Sequence, residues 1–337
     1  MKAALFEKTG QPLYIDEIAV PEPDGDEVLL KIAACGICGS DLHMTEDPAT
    51  FGLKQYDVLG HEFAGEVIQC GADVSDLKPG DRVAVAPMRG CGHCGNCQQG
   101  EPAWCSEMRL IGGGYAEFTT VAARQCRILP DDLPVAEGAL AEPVAVALHC
   151  VMRSGLKPGD RVLILGAGPI GLLVAFWARR HGAKDVVVAD INRHQEARAA
   201  EIGATGFALS GPGLADEFRT ISGARPDIVF ECVGKRGLID FACKLVRRHG
   251  TVVGVGLCVG GDDWDPFAAL SKEIQLIFAV FFNMAEFETA LDALGPGRFR
   301  PQALITDTIG FGAVPDTFEA LKRRTTQCKV LIAADAA

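Results

Sequence analysis

The chain has 337 residues, 48% of them hydrophobic and 23% charged, and 44 acidic side chains against 32 basic ones give a net charge of −12. That balance excludes a disordered chain, and the acidic excess argues against the basic surface a nucleic-acid binder needs. The length exceeds what one hydrophobic core usually supports, so two domains are expected.

Thirteen cysteines are an odd number, so a fully paired disulfide framework is impossible. The N-terminal residues carry no apolar run of signal-peptide length. A soluble, cytoplasmic chain whose clustered thiols bind metal or do redox chemistry is the expectation. The longest uncharged run, Val162–Ala178, holds three glycines and a proline and falls short of the ~20 apolar residues of a membrane span. It reads as a buried strand, a turn and a helix.

Up to about residue 145 the chain reads as short strands. Val28–Ile32, Phe63–Gln69, Arg82–Pro87 and Tyr115–Val121 are rich in β-branched and aromatic residues, with turn signals at Pro23–Gly25 and Lys78–Asp81. Such strands predict an antiparallel, barrel-like β domain. From Arg161 continuous apolar strands alternate with helices: Arg161–Gly168, then Ile170–Ala183, Val186–Asp190, Arg193–Ile202, Asp227–Gly234, Leu238–Arg248 and Thr251–Leu257. This rhythm predicts a doubly wound parallel sheet covered on both faces. Shorter mixed elements return after Phe282, with a helix at Phe287–Leu294 and strands at Ala303–Ile309 and Lys329–Ala334. The expected layout is a β-rich domain (1–147 and 283–337) interrupted by an inserted dinucleotide-type domain (148–282).

Gly166-Ala167-Gly168-Pro169-Ile170-Gly171 fits G-x-G-x-x-G. It follows a buried strand, opens a helix and has an acidic residue, Asp190, roughly 20 positions on, which is the context the dinucleotide fingerprint requires. The first glycine permits the tight turn, the second admits a pyrophosphate to the helix N-terminus, and the third lets helix and strand pack closely. Asp190 can accept hydrogen bonds from ribose hydroxyls and would repel a 2′-phosphate, so NAD is expected over NADP. Arg193 is the residue that can accommodate such a phosphate.

Cys91, Cys94, Cys97 and Cys105 stand within one short glycine-containing segment. Four thiolates close a tetrahedral zinc site with no position left for substrate, so this zinc is structural. An iron–sulfur cluster lacks the ferredoxin spacing, a zinc ribbon for nucleic acid lacks basic surroundings, and His93 has no ligand role beside a complete sulfur set.

The remaining chemistry is dispersed. Cys38, His61, Glu62 and Glu142 offer a thiolate, an imidazole and carboxylates, a set that can hold zinc with three ligands and keep one position open. The plain alternatives are a buried small side chain for Cys38 and a helix N-terminal carboxylate for Glu142. Taken together, Cys35-Gly-Ile-Cys38-Gly-Ser-Asp-Leu-His43, Gly60-His61-Glu62, the four-cysteine lobe and the glycine fingerprint resemble the zinc-dependent medium-chain dehydrogenases over essentially the whole chain. Glu142-Pro143 resembles the branch of sorbitol, butanediol and threonine dehydrogenases.

The resemblance implies a GroES-like catalytic domain with an inserted Rossmann domain and an alcohol dehydrogenase that uses two zinc ions and NAD. It implies that Cys38 and His61 ligate the catalytic zinc, with Glu62 and Glu142 ligating directly, through water or in alternation. It also implies a proton relay from Ser40 through the cofactor ribose to His43, although Ser40 and Asp41 equally suit a helix cap.

Relatives carry an Arg-Tyr pair where Phe282 and Asn283 stand here. That difference suggests an apolar substrate pocket including Phe281 and Phe282 and a fairly apolar secondary alcohol or ketone as substrate. A threonine, vicinal-diol or polyol dehydrogenase is the alternative, and a catalytically silent cofactor-binding protein a more distant one. Relatives are homodimers or homotetramers, and the apolar run Glu273–Phe282 is the candidate pairing edge.

Overall fold

The computed structural model describes residues 1–297, 300–323, 326–334 and 336. The chain forms two compact units, one of Met1–Glu142, Asn283–Gly297 and Ile305–Ala337, the other of Pro143–Phe282 and Arg298–Leu304.

In the first unit the strand Glu27–Gly36 is buried along nearly its whole length. Its inward side chains Val28, Leu30 and Ile32 join Phe63, Val67, Val83 and Val85 in one apolar cluster, and burial of this kind contributes about 25 cal/mol per Å². Glu27–Gly36 lies inside a seven-stranded sheet, between Lys329–Ile332 and Glu62–Cys70. The register sets Gly36 opposite both Glu62 and Leu331, so residues distant in sequence meet at one strand end. Irregular pairing between Ile32 and Ala34 bends the strand there, as bulges do. Just beyond it the helix Gly39–Glu46 starts, with Cys38 at its N-cap.

Most of this sheet is antiparallel, as the strand-and-turn pattern predicts, but Ile305–Ile309 pairs parallel with Lys329–Ile332. The helix Val314–Leu321 lies between these strands in the chain, and a parallel pair needs such a crossover.

The second unit holds a six-stranded parallel sheet in the order Gly206–Leu209, Asp185–Asp190, Arg161–Leu165, Ile228–Glu231, Thr251–Gly254, Gln275–Phe278. This is the doubly wound architecture, with its reversal of strand order beside the first strand. The helix Pro169–Arg180 buries Gly171 through Ala178, and the buried indole of Trp177 donates to the Val144 carbonyl at 2.9 Å.

The helix Pro266–Leu270, the strand Gly206–Leu209 and the helix Leu214–Ser222 escape the sequence pattern. The strand Gly206–Leu209 is four residues long, and the helix Leu214–Ser222 buries only Leu214, Phe218 and Ser222, too sparse a stripe to read against its charges. The stretch Val135–Arg153 has the length and apolarity to cross a bilayer, but 72% of its apolar window is buried inside the protein. It is a core element.

Candidate metal and cofactor sites

The four-cysteine lobe closes on itself. Ligand atoms of Cys91, Cys94, Cys97 and Cys105 lie within 4.8 Å of one another. Backbone N–H groups point at these sulfurs: Cys91 and Glu107 donate to Cys105 Sγ at 3.3 and 3.4 Å, and Cys94 donates to Cys91 Sγ at 3.3 Å. Those amides, the Cys91 and Glu107 N–H first, bring the Cys105 thiol down to about 7, whereas burial holds Cys97 up to about 12. A Cβ on Gly90 would come within 2.5 Å of Cys97 Sγ, so only glycine admits the sulfur. His93 is exposed, and its Nδ1 donates to the Cys91 carbonyl at 3.0 Å. Four convergent sulfurs with donated N–H bonds fit a tetrahedral zinc.

The dispersed residues are gathered by the sheet. Cys38, His61 and Glu62 bring one ligand atom each within 4.8 Å of one another. His61 Nδ1 lies 3.2 Å from Asp41 Oδ1. A carboxylate only accepts, so Nδ1 carries the proton and Nε2 is the nitrogen left for a metal. Burial opposes charge on both partners, but their attraction outweighs it: Asp41 stays below the usual carboxylate range and His61 well above its ordinary value. Asp41 also accepts from Cys38 N–H at 3.0 Å and from the Tyr115 hydroxyl at 2.7 Å. The Tyr115 hydroxyl keeps its proton, since burial and then Asp41 push its pKa well up.

The two carboxylates differ. Glu62 is fully buried, and Lys329 Nζ meets its two oxygens at 2.8 and 2.5 Å while also donating to the Ile37 carbonyl at 3.1 Å. A Cβ on Gly36 would come within 2.1 Å of Glu62 Oε2. Glu142 opens the helix Ala141–Arg153, and burial pushes its carboxyl up to about 7. Without a metal, Glu142 therefore favours folding at low pH. That contribution is lost as pH rises from the usual carboxylate range through about 7, until a bound cation takes the place of the proton.

Ser40 Oγ donates to Cys38 Sγ at 3.2 Å and lies 3.4 Å from His61 Nε2. His43 is one turn further along the same helix, with its ring 42% exposed and Nδ1 3.6 Å from Glu46.

The glycine turn has the expected form. Gly166 sits at φ +102°, and a Cβ on Gly171 would come 2.0 Å from the Gly166 carbonyl. Gly168, at the N-cap of Pro169–Arg180, has open space where its Cβ would stand, and Pro169 and Ile170 form the first turn. Asp190 is buried and accepts from Ala167 N–H at 2.9 Å and Ile191 N–H at 2.6 Å. Room at a helix N-terminus fits a pyrophosphate.

Arg193, Phe282 and Asn283 have further partners or surroundings. Arg193 directs its guanidinium at Glu196 (2.8 Å) and Glu217 (3.5 Å), so it is already paired within its own surface. Phe282 has no exposed surface and is a core residue, which removes it from the pocket. Asn283 caps the helix Met284–Ala293 by accepting Glu286 N–H at 2.9 Å. Phe281 is half-buried with φ +59°. Sequence reasoning passed over Lys329, Tyr115 and the role of Asp41. The one trace of Lys329 is a lone cation in an otherwise apolar final strand.

A metal-capable β-rich unit joined to a unit with a dinucleotide turn is the architecture of a metal-dependent oxidoreductase. The alcohol dehydrogenase GroES-like domain matches residues 24–131 and the zinc-binding dehydrogenase domain residues 169–295. Sorbitol dehydrogenase of Bacillus subtilis (strain 168) is 31% identical, over 98% of this chain and 97% of that protein. The structure of the alcohol dehydrogenase rspB from E. coli CFT073, complexed with NADH, superposes with a TM-score of 0.89 at 29% identity, covering 99% of both chains. A zinc-binding dehydrogenase of Sinorhizobium meliloti 1021 bound to NADP gives 0.88 at 31%, covering 98% of both. The chain belongs to the zinc-type medium-chain alcohol dehydrogenase family.

Proposed function

We propose that this protein reversibly oxidises a secondary hydroxyl of a polyol or related small alcohol, with NAD as hydride acceptor. Cys38, His61 and Glu142 hold the catalytic zinc, and Cys91, Cys94, Cys97 and Cys105 the structural one. The observation that carries this reading is the convergence of Cys38 and His61, beside Glu62, to within 4.8 Å in a chain of this family, with the buried Glu142 carboxyl in electrostatic range of His61 and Lys329. A zinc held there would supply a Lewis acid for the substrate oxygen, and a bound nicotinamide would supply the hydride acceptor.

The chain's own side chains do the rest. Cys38 brings a thiolate and His61 an Nε2 lone pair oriented by Asp41. Glu142 is assigned the carboxylate ligand because Lys329 already holds both oxygens of Glu62. Ser40, 3.2 Å from Cys38 Sγ, would accept the hydroxyl proton, and His43, one turn further along the same helix with its ring 42% exposed, would exchange it with solvent. Residues 1–147 and 283–337 serve as the catalytic domain and 148–282 as the cofactor domain. NAD is favoured over NADP because Asp190 would face a 2′-phosphate while Arg193 is engaged by two glutamates.

The substrate follows the sorbitol dehydrogenase relative. An apolar pocket lost its main support when Phe282 proved to be core. A homodimer joined along Gln275–Phe278, an open sheet edge beside the exposed Phe267, Leu270, Phe278 and Val280, belongs to the same reading. So does a cytoplasmic location, which suits thirteen cysteines none of which is in a disulfide.

Initial rates of NADH and NADPH formation with sorbitol, butane-2,3-diol, threonine and cyclohexanol test it. A polyol or diol should exceed cyclohexanol in kcat/KM by about tenfold or more, a difference of roughly 1.4 kcal/mol in transition-state binding, with NAD preferred. A preference for cyclohexanol, or for NADP, contradicts this proposal.

A further inference from the structure

Tyr115 is fully buried, and a phenylalanine would fill the same ring space. The hydroxyl therefore needs its own explanation. Tyr115 Oη donates to Asp41 Oδ2 at 2.7 Å. The same oxygen accepts Cys38 N–H at 3.0 Å, and Oδ1 faces His61 Nδ1 at 3.2 Å. One buried carboxylate thus joins the backbone of Cys38 to the ring of His61, and Tyr115 braces it from the far side, from 74 positions along the chain.

The ring is fixed as well. A Cβ on Gly60, the residue before His61, would come 2.4 Å from Tyr115 Cδ1, and Phe318 packs edge-on with centroids 6.4 Å apart. A carboxylate held by three donors has one orientation. Without the hydroxyl, Asp41 is freer to rotate, and its charge leans more heavily on His61.

We propose that Tyr115 is a positioning residue of the metal site, its hydroxyl fixing Asp41 and, through Asp41, the orientation and donor strength of His61. The proposal rests on the assignment of Cys38 and His61 as zinc ligands. It makes Tyr115 the third member of a chain running from metal ligand to carboxylate to hydroxyl.

Zinc transfer from the full-length, zinc-loaded enzyme to a chromogenic chelator reads this out. Tyr115→Phe should release the zinc held by Cys38 and His61 about 10–100-fold faster, the size typical for loss of an outer-shell partner. The zinc of the four-cysteine lobe should leave at the wild-type rate. Asp41→Asn should accelerate the same phase, and Tyr115→Phe should add nothing to it, because both changes act through one carboxylate.

An unchanged release rate in Tyr115→Phe overturns the proposal. So does equal acceleration of both zinc ions, or an undiminished effect in the Asp41→Asn background. If Asp41→Asn does not fold, the cobalt-substituted Tyr115→Phe protein decides. Its visible bands shift if the hydroxyl acts through the ligands, and stay in place if Tyr115 only packs. Cys38→Ser separates the two layers. If it keeps both zinc ions, the ligand assignment fails and this proposal with it. If it loses one while Tyr115→Phe behaves as wild type, this proposal alone fails.

Discussion

Replacing Cys38 by alanine is expected to lower kcat/KM about a thousandfold or more and to reduce zinc from two equivalents per chain to one. Cys38, at a helix N-cap, supplies the soft ligand of a cluster whose His61 and Glu62 stand at the start of the strand Glu62–Cys70, and its Sγ also receives the Ser40 hydroxyl at 3.2 Å. Loss of a Lewis acid removes several kcal/mol of charge stabilisation in the transition state, and each 1.36 kcal/mol is a factor of ten in rate. Cys91 and its three partners are untouched, so the remaining equivalent should be retained with the fold. Elemental analysis of the purified variant, alongside NADH formation, checks both halves. A variant that keeps two zinc ions, or turns over at the wild-type rate, contradicts the assignment.

Lys329→Met should destabilise the metal-free protein by about 3–5 kcal/mol, the usual cost of leaving a buried charge without its partner. Glu62 is completely buried and Lys329 nearly so, and the Lys329 pKa is held above its ordinary value because Glu62 outweighs the effect of burial. With the lysine gone, the buried Glu62 carboxylate is left without its cation. Zinc is another cation, so the deficit should shrink in the loaded enzyme as Glu62 turns towards the metal. Lys329→Met combined with Glu62→Gln should recover much of the loss. Denaturant midpoints of the metal-free and zinc-loaded forms measure this. A metal-free Lys329→Met protein as stable as wild type would show that the pair is not the anchor described above.

Local spacing made the glycine turn and the cysteine lobe readable, because each closes within a few residues of itself. Cys38, His61 and Glu62 were readable as residue types, but what unites them is strand adjacency, with Gly36 opposite Glu62. Only resemblance to a family pointed to it in advance. The partners of Lys329 and Tyr115 were not legible, although Lys329 stands out as a lone cation in an apolar strand. Their partners lie 267 and 74 positions away, and nothing in a local window marks a lysine or a tyrosine as facing a buried carboxylate. The misplacement of Phe282 has a different cause. In the continuous run around Gln275–Phe282, periodicity does not distinguish inward from outward side chains, and Phe278 is 67% exposed while Phe282 is wholly buried. Asn283 resembled a substrate-pocket substitution, yet its side chain is spent on a helix cap, a common use of that residue.

Zinc-dependent oxidation of an alcohol is tested most directly by NADH formation from a polyol, measured as purified, after removal of the more labile zinc by a chelator, and after zinc is restored. Turnover should disappear with that equivalent and return with it, while the fold, held by the cysteine lobe and the two cores, persists throughout. Undiminished turnover after the labile zinc is gone, or no reduction of NAD by any alcohol in a protein that carries both zinc ions, would contradict it.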